Sequence, residues 1–330
     1  MKPYLVTLDI HGLIDWEKTN LQETALLDIR RDALKNLQSV TPSPPHTLEY
    51  RSVKKKMEGS VDYLLESHPL ATVISLDDLL YRPHQARAVL SLSRFCGIGD
   101  GLGVGSKILG QTSRPGSRPV EEQLTALDAY PELVITDVGC FEGSQMEFTV
   151  KVLQQRGHRI GGIVTGIFTQ EASQRLKDRC GLPSPDAPVV GCNYYPEITD
   201  WIEERDFYPC LGGVAVADSD GQVLEAPNGI GLPCRRPYLL PFADIRERAS
   251  LMGTDAELIN FSYRQIKRTI EVFRVLANAR NMGTGVAFKD IKWLLKKPSF
   301  PYSGIKELDE MVEPRMPVVE YLERVLKYMK

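Results

Sequence analysis

Predicted strands and helices alternate between residues 71 and 205, and this order constrains the fold more than any other feature of the 330-residue chain. Apolar runs of strand length occur at Ala71–Leu76, Leu133–Thr136 and His158–Gly166, and a helical pattern follows each of them. Consecutive parallel strands need a long crossover connection, which is usually a helix. The sequence therefore predicts an α/β fold in which helices flank a parallel sheet.

The predicted elements divide the chain into three segments. Residues 1–68 are expected to form an N-terminal strand and a helical extension, residues 69–240 the α/β core, and residues 241–330 a C-terminal helical region. The strongest helix pattern runs over Ala256–Ala279, where a broad apolar stripe repeats at helical spacing. A helix is also predicted near Gln85–Phe95.

The composition argues against several classes of function. The net charge of −3 gives no general electrostatic reason to bind nucleic acid. The six cysteines form no CxxC pair, the five histidines form no HxH or HExxH pattern, and the glycine-rich segment Gly97–Gly105 does not match GxGxxG. No segment approaches the ~20 apolar residues of a membrane helix. We therefore expect a cytoplasmic protein with reduced thiols and no membrane partner.

The segment Pro131–Val150, PELVITDVGCFEGSQMEFTV, carries the strongest indication of function. Its apolar strand is predicted to end in Asp137, a loop with Gly139 and Gly143 follows, and a helix is predicted to begin near Ser144. A carboxylate at a strand end can accept hydrogen bonds from ribose hydroxyls, and the N–H groups of a loop and a helix N-terminus can hold a phosphate. This order suits a phosphorylated sugar, although an ordinary strand–turn–helix connection explains it equally well.

The same segment resembles the ribose-phosphate-binding loop of type I phosphoribosyltransferases. Asp137 matches the first acidic residue of that motif, whereas Val138 stands where a second acidic residue is usual. The family's Thr-Gly-Gly-Thr reads Glu-Gly-Ser-Gln over residues 142–145, so Gly143 matches the first glycine. The resemblance implies a catalytic role for Asp137 and a ribose-phosphate site formed by Asp137, Gly139, Cys140, Phe141, Glu142, Gly143, Ser144 and Gln145.

Other short stretches extend the resemblance over roughly residues 70–280. They are Gln111–Leu124, Asp200–Pro209 and the aromatic-rich Pro237–Phe242, in an order similar to that of a divergent bacterial phosphoribosyltransferase-like group. That group is linked to the gene neighbourhoods of tellurite resistance, stress and phage defence. The resemblance implies an α/β core with a hood, a ligand that is phosphoribosyl pyrophosphate or a nucleotide, and Mg²⁺ as cofactor. An active enzyme would transfer or cleave at the ribose C1 carbon.

Two pairs of charged residues are candidates for the pyrophosphate and the metal. Arg114 and Arg118 flank a tight turn and would grip pyrophosphate, because guanidinium groups bind phosphate oxygens bidentately. A solvated basic turn explains them as well. Asp77 and Asp78 follow a predicted strand and would hold a magnesium–phosphate complex, or they would cap the next helix.

An aromatic and charged stretch follows the last predicted strand of the core. In the family this region lies near the hood, so Trp201 and Phe207 would stack on an acceptor base and Asp206 would bond to its edge. The alternative is a hydrophobic clamp between the core and the C-terminal helices, with Arg205 and Asp206 as an ion pair.

Other functions stay open beside the transferase. A catalytically degenerate relative would sense a nucleotide or serve as an interaction module, and Val138 favours this alternative. An effector of a stress or defence system would act with a protein or nucleic-acid partner, and a homodimer is also open. Asp9-Ile10-His11-Gly12 is similar to the DxDGT start of haloacid-dehalogenase phosphatases, with Asp9 as nucleophile. There His11 replaces the usual acid, and a buried first strand ending in a turn explains the pattern better.

Overall fold

The computed structural model describes residues 2–19, 23–98, 108–114, 116–283 and 285–330. Most of the glycine-rich segment Gly97–Gly105 lies outside the described residues, so its predicted conformation stays a prediction. The strands are β1 (Tyr4–Leu8), β2 (Pro45–Glu49), β3 (Thr72–Ser75), β4 (Ala88–Val89), β5 (Leu92–Cys96), β6 (Ile108–Ser113), β7 (Glu132–Cys140), β8 (Arg159–Thr169), β9 (Val189–Gly191), β10 (Tyr194–Tyr195), β11 (Asp200–Glu203), β12 (Val214–Val216), β13 (Cys234–Arg236) and β14 (Phe300–Pro301).

The helices lie between the strands and in the C-terminal part of the chain. They are α1 (Ile10–Leu13), α2 (Trp16–Thr19), α3 (Leu27–Gln38), α4 (Tyr50–Ser67), α5 (Val120–Thr125), α6 (Ser144–Gln155), α7 (Gln170–Cys180), α8 (Ile245–Ala249), α9 (Asp255–Ala279), α10 (Ile291–Leu294), α11 (Lys306–Asp309) and α12 (Val318–Tyr328). Single 3₁₀ turns occur at Glu23–Leu26, Glu204–Phe207, Pro227–Gly229 and Phe288–Asp290. Among the described residues, no helix is both long enough and apolar enough to cross a membrane.

The central sheet confirms the predicted α/β class. Its strands run parallel in the order β10-β8-β7-β3-β4, with β9 also paired to β8. Successive side chains of a strand point to opposite faces, and both faces of this sheet are covered. Leu133 and Ile135 of β7 belong to the core that contains Val150 of α6, whereas Val134 belongs to the core that contains Met57 of α4.

Two further sheets extend the fold beyond the predicted core. One is parallel, with the order β11-β1-β2, and the other is mixed, with the order β14-β13-β12-β5-β6. The helix predicted near Gln85–Phe95 is wrong, because this stretch forms β4 of the central sheet and β5 of the mixed sheet. Tertiary pairing decides the conformation here, since β5 bonds to β6 on one side and to β12 on the other.

The three predicted segments do not pack as separate units. Strand β1, from the first segment, lies between β2 and β11, and the hydroxyl of Tyr4 donates a 2.6 Å hydrogen bond to the carbonyl of Ala249. Strand β14, from the last segment, completes the mixed sheet beside β13. The C-terminal helices are present as predicted, and α9 begins with a capping box between Thr254 and Glu257.

Four carboxylates meet at the carboxyl ends of the parallel strands. Asp9 follows β1, Asp77 lies two residues beyond β3, Asp137 lies within β7, and Glu203 is the last residue of β11. Ligands of open α/β sheets bind beyond this edge. The space in front of these strand ends is therefore the candidate ligand site of this fold.

Candidate functional site

The predicted phosphate loop has the local geometry that the sequence indicates. Gly143 adopts a left-handed conformation with φ of 77°, and α6 begins directly after it at Ser144. A side chain at position 143 would be strained in this conformation, and its Cβ would lie 3.2 Å from the Cα of Ala172. The first N–H groups of a helix have no partner within the helix, so this terminus can bind an anion.

A cavity of about 550 Å³, the main cavity, opens in front of this helix terminus. The predicted ribose-phosphate residues from Gly139 to Gln145 line one side of it. The other lining residues come from β5, β6, the stretch around β11, the stretch after β13, and α8 with the residue that follows it. They include Arg94, Asp200, Trp201, Glu203, Asp206, Tyr238, Glu247, Arg248 and Ser250.

A smaller cavity of about 130 Å³, the inner cavity, adjoins the main one and reaches the strand ends. The two cavities share lining residues, among them Arg94, Gln145 and Trp201. The inner cavity is further lined by charged side chains that include Arg114, Asp137, Arg205 and Arg235. Most of the residues predicted for the site therefore surround one continuous space.

Asp137 lies inside β7 rather than after it, which corrects the predicted end of the strand. Its side chain is buried, and its Oδ1 accepts a 2.8 Å hydrogen bond from the N–H of Val138. Burial raises the pKa of Asp137 to about 7, against the lowering effect of Arg114. A carboxyl group that titrates near neutral pH can take up or release a proton at working pH.

The two arginines predicted to bind pyrophosphate lie apart. Arg114 is directed to the strand ends, where its Nε donates to the carbonyl of Leu92 at 2.8 Å and its Nη1 to Oδ2 of Asp77 at 3.1 Å. Arg118 is exposed and lines neither the main nor the inner cavity. The prediction that Arg118 binds the same ligand is therefore not supported by its position.

Asp77 and Asp78 do not fit a magnesium ion held by the protein. The Oδ1 of Asp77 accepts the N–H groups of Leu79 at 2.9 Å and Tyr81 at 3.0 Å, and its Oδ2 accepts from Arg114. The Oδ2 of Asp78 is bound to Lys297 and to the hydroxyl of Ser91. Three of the four carboxylate oxygens thus have partners already, and no group of three or more metal-ligating side chains occurs in the part of the chain that the structure describes.

The residues predicted to hold an acceptor base have different surroundings. Trp201 lines both cavities, and its ring packs on the backbone of Gly139, where a Cβ would lie 2.5 Å from a ring carbon. Asp206 also lines both cavities, while its Oδ1 accepts the N–H of Gly213 at 2.8 Å. Phe207 is buried in the core, with its ring 5.5 Å from that of Phe261. The stacking role predicted for Phe207 is therefore wrong.

Asp9 does not form a phosphatase site. Its side chain is completely buried, and its Oδ1 accepts the N–H of Arg205 at 3.0 Å. Its Oδ2 lies 3.2 Å from Nη1 of the same arginine. Arg205 also pairs with Glu203. The clamp alternative expected an ion pair with Asp206 instead. Asp9 lines neither cavity, which agrees with a buried first strand that ends in a turn.

Sequence reasoning missed two arginines of the site. Arg235 lines the inner cavity, and its Nη1 donates a long 3.4 Å hydrogen bond to the carbonyl of Gly213. Burial, with the nearby Arg205 and Arg114, lowers the pKa of Arg235 to about 10. Arg94 is exposed at the shared rim of the two cavities. Neither guanidinium has an ion-pair partner among the described residues.

The sequence held one signal for Arg235. It stands beside Arg236 in the strand Cys234–Arg236, and adjacent arginines in a buried strand need either partners or a ligand. The site as a whole combines a helix N-terminus, several guanidinium groups and a carboxyl group that titrates near neutrality. Such a set can bind an anionic group and exchange a proton beside it.

Comparison with known proteins gives no independent assignment of the site. No family model matches the chain, and no curated protein matches it.

Proposed function

We propose that the main and inner cavities bind a phosphorylated ribose, either phosphoribosyl pyrophosphate or a nucleotide, and that the protein transfers or cleaves at the ribose C1 carbon. The observation that carries this proposal is the position of the α6 N-terminus. It opens into the same cavity as the Arg94 guanidinium, and the cavity continues to Asp137. A volume of about 550 Å³ suits a small ligand of nucleotide size.

Different residues along this space would bind different parts of the ligand. The 5′-phosphate would bind at the N-terminus of α6, where Gly143 permits close approach of the backbone. Arg94 and Arg235 would receive the pyrophosphate, because neither has a carboxylate partner among the described side chains. Asp137 would accept a hydrogen bond from a ribose hydroxyl at the end of the inner cavity.

With phosphoribosyl pyrophosphate, the reaction would be a displacement at C1, in which the bond to the acceptor or to water forms and the bond to the pyrophosphate oxygen breaks. Negative charge then develops on the leaving group, and positioned guanidinium groups stabilise it. Asp137 would remove the proton of the attacking group, since its pKa of about 7 lies in the range useful for a general base. Because Asp77 and Asp78 already have partners, no step depends on a metal that they would hold.

A second candidate is a module that binds a nucleotide without turnover. The ion pair between Arg114 and Asp77 favours this candidate. Arg114 was predicted to bind the pyrophosphate, and in the structure it already has a carboxylate partner. In this case the site would retain its affinity for the phosphorylated ribose, and no bond at C1 would be cleaved. A partner protein or nucleic acid of a stress or defence system would then recognise the ligand-bound form of the protein.

Thermal unfolding with and without ligands tests both candidates. A ligand that binds only the folded protein raises its melting temperature. We expect a rise with phosphoribosyl pyrophosphate, and the experiment is repeated with Mg²⁺, ribose 5-phosphate and common nucleotides. Release of pyrophosphate, followed by mass spectrometry, separates the enzyme from the binding module. No rise with any of these ligands would refute both.

Gly143→Ala tests the loop itself, and Gly157→Ala is its matched control. Both glycines have a positive φ, 77° and 89°, so both variants carry a similar backbone strain of roughly 1–2 kcal/mol. A Cβ at position 157 meets nothing within 4 Å and lies outside the cavities. We expect the ligand-induced rise in melting temperature to disappear in the first variant and to persist in the second. Equal rises in both would remove the phosphate loop from the proposal.

A further inference from the structure

A third cavity, the lysine cavity, is lined by three lysines that the proposed function does not use. Its volume is about 490 Å³, and it lies between β13, the loop around Gly231 and the segment that begins at α10. Four cationic side chains line it together with two carboxylates: Arg235, Lys292, Lys296, Lys297, Asp78 and Glu225. One of the two carboxylates, Asp78, already forms an ion pair with Lys297. The balance of charge in the cavity is therefore positive.

Two of the lysines are available to an external ligand. Lys292 and Lys296 are exposed, and neither forms an ion pair with any residue that the structure describes. Lys292 reaches from α10 towards the facing loop, since a Cβ added to Gly231 would lie 3.6 Å from its Nζ. Gly231 has a φ of 65°, a conformation that favours glycine and leaves this wall of the cavity without a side chain.

Arg235 supplies the fourth cation and lines both the inner cavity and the lysine cavity. Its guanidinium has no carboxylate within ion-pair distance among the described residues. Burial and the neighbouring arginines oppose its charge and lower its pKa to about 10. An anion on either side of the guanidinium would relieve this cost, because opposite charges favour the ionised form.

We propose that the lysine cavity is a second anion-binding site, which takes a diphosphate group through lysines that the ribose-phosphate site does not use. Lysine ammonium groups act as point charges for phosphate, and an arginine supplies a directional fork. The cavity volume lies in the range of small-ligand sites rather than of protein interfaces. Its three lysines line neither the main nor the inner cavity, so substitutions at these lysines test this site separately from the proposed transferase.

Isothermal titration with inorganic pyrophosphate at low ionic strength tests the second site. The wild-type protein is compared with the double variant Lys292→Gln/Lys296→Gln. The matched control is Lys289→Gln/Lys327→Gln, which removes the same charge from two exposed lysines that do not line the cavity. Arg94→Gln perturbs the main and inner cavities but not the lysine cavity. All the altered side chains are exposed, so each variant is expected to fold.

We expect one pyrophosphate-binding event to weaken by about tenfold or more in Lys292→Gln/Lys296→Gln and to persist in the control and in Arg94→Gln. The same event should weaken as salt is added, because the lysines are exposed. Equal titrations of the two double variants would overturn the proposal. So would a single event that Arg94→Gln abolishes and the lysine substitutions leave unchanged. A failure of the transferase proposal would appear instead as an absent response to phosphoribosyl pyrophosphate in the main cavity.

Discussion

Asp77 and Asp137 belong to neighbouring parallel strands and lie at the same edge of the sheet, yet their surroundings give their carboxyl groups opposite properties. Burial by itself would raise the pKa of Asp77, but Arg114, Arg205 and two N–H groups outweigh it, so this pKa is lowered. Asp137 receives one N–H from its own neighbour, and burial raises its pKa to about 7. Partners rather than burial decide which carboxylate is held in its charged form.

The same contrast separates two arginines, the buried Arg205 and the half-buried Arg235. Arg205 pairs with Asp9 and Glu203, whereas Arg235 has no ion-pair partner among the described residues and lies on the wall between two cavities. The charged edge of the sheet thus has a paired half, whose charges other side chains already satisfy, and an unpaired half, whose charges have no such partner, and both halves line the inner cavity. Groups of the unpaired half are the ones whose charge a ligand can satisfy.

The largest expected effect comes from breaking the paired half. Arg205→Met leaves Asp9 and Glu203 buried without their cation, and loss of one partner of a buried pair costs about 3–5 kcal/mol. Urea unfolding measures this loss. Arg156→Met is the control, because it breaks ion pairs with Asp128 and Glu121 at the surface and should cost far less. Equal losses in the two variants would contradict the structural role of the Arg205 cluster.

The pH dependence of stability in the variant Asp137→Asn tests the contrast between Asp137 and Asp77. In wild type, Asp137 keeps its proton in the folded state up to about pH 7, whereas in the unfolded chain it ionises near pH 4. Between these values the folded state binds more protons, so stability at this site falls as pH rises. Relative to Asp137→Asn, the wild type should therefore lose up to about 4 kcal/mol of unfolding free energy over this range. Urea unfolding at a series of pH values provides the measurement.

Asp77→Asn is the matched control with the opposite sign. Because the pKa of Asp77 is lowered, its ionised form stabilises the folded state above the unfolded pKa, and this contribution is lost as pH falls through the folded value. Relative to Asp77→Asn, the wild type should thus lose stability only at acid pH, below about 4. The same pH dependence for both variants would show that the two carboxylates do not differ as their surroundings indicate.

Local features of the site were predictable because they depend on neighbours in sequence. The start of α6 at Ser144 and the need for glycine at position 143 are confirmed, since a helix terminus and a left-handed turn are encoded within a few residues. The long helix α9 is confirmed for the same reason. The pattern of apolar residues was sufficient for the α/β class.

Features that depend on distant pairing were not predictable from the sequence alone. The stretch 85–95 carries apolar residues at spacings that fit a helix or a strand, and the contacts of β5 with β6 and β12 decide for the strand. The clamp alternative expected the adjacent Asp206 as the partner of Arg205, but the fold brings Asp9 to it from almost two hundred positions away. Arg235 was missed because the sequence does not show that its guanidinium lacks an ion-pair partner among the described residues.

Arg235→Met is expected to have the smallest effect on stability. No carboxylate loses its partner, and the lost hydrogen bond to Gly213 is long, so the unfolding free energy should change by no more than about 1 kcal/mol. Pyrophosphate affinity, in contrast, should fall about tenfold or more, because the side chain lines both the inner and the lysine cavity. Urea unfolding and calorimetric titration give the two quantities.

The adjacent Arg236 provides the control for that variant. It is completely buried, bonds to the carbonyl of Phe242 at 3.3 Å and stacks on the ring of Tyr302 at 5.4 Å, and it lines none of the three cavities. Arg236→Met should therefore cost about 2–4 kcal/mol of stability and leave the affinity of the folded protein for pyrophosphate unchanged. The reverse pattern, with Arg235 needed for folding and Arg236 for binding, would place Arg235 in the paired half. The lack of an ion-pair partner for Arg235 among the described residues would then not indicate a ligand site.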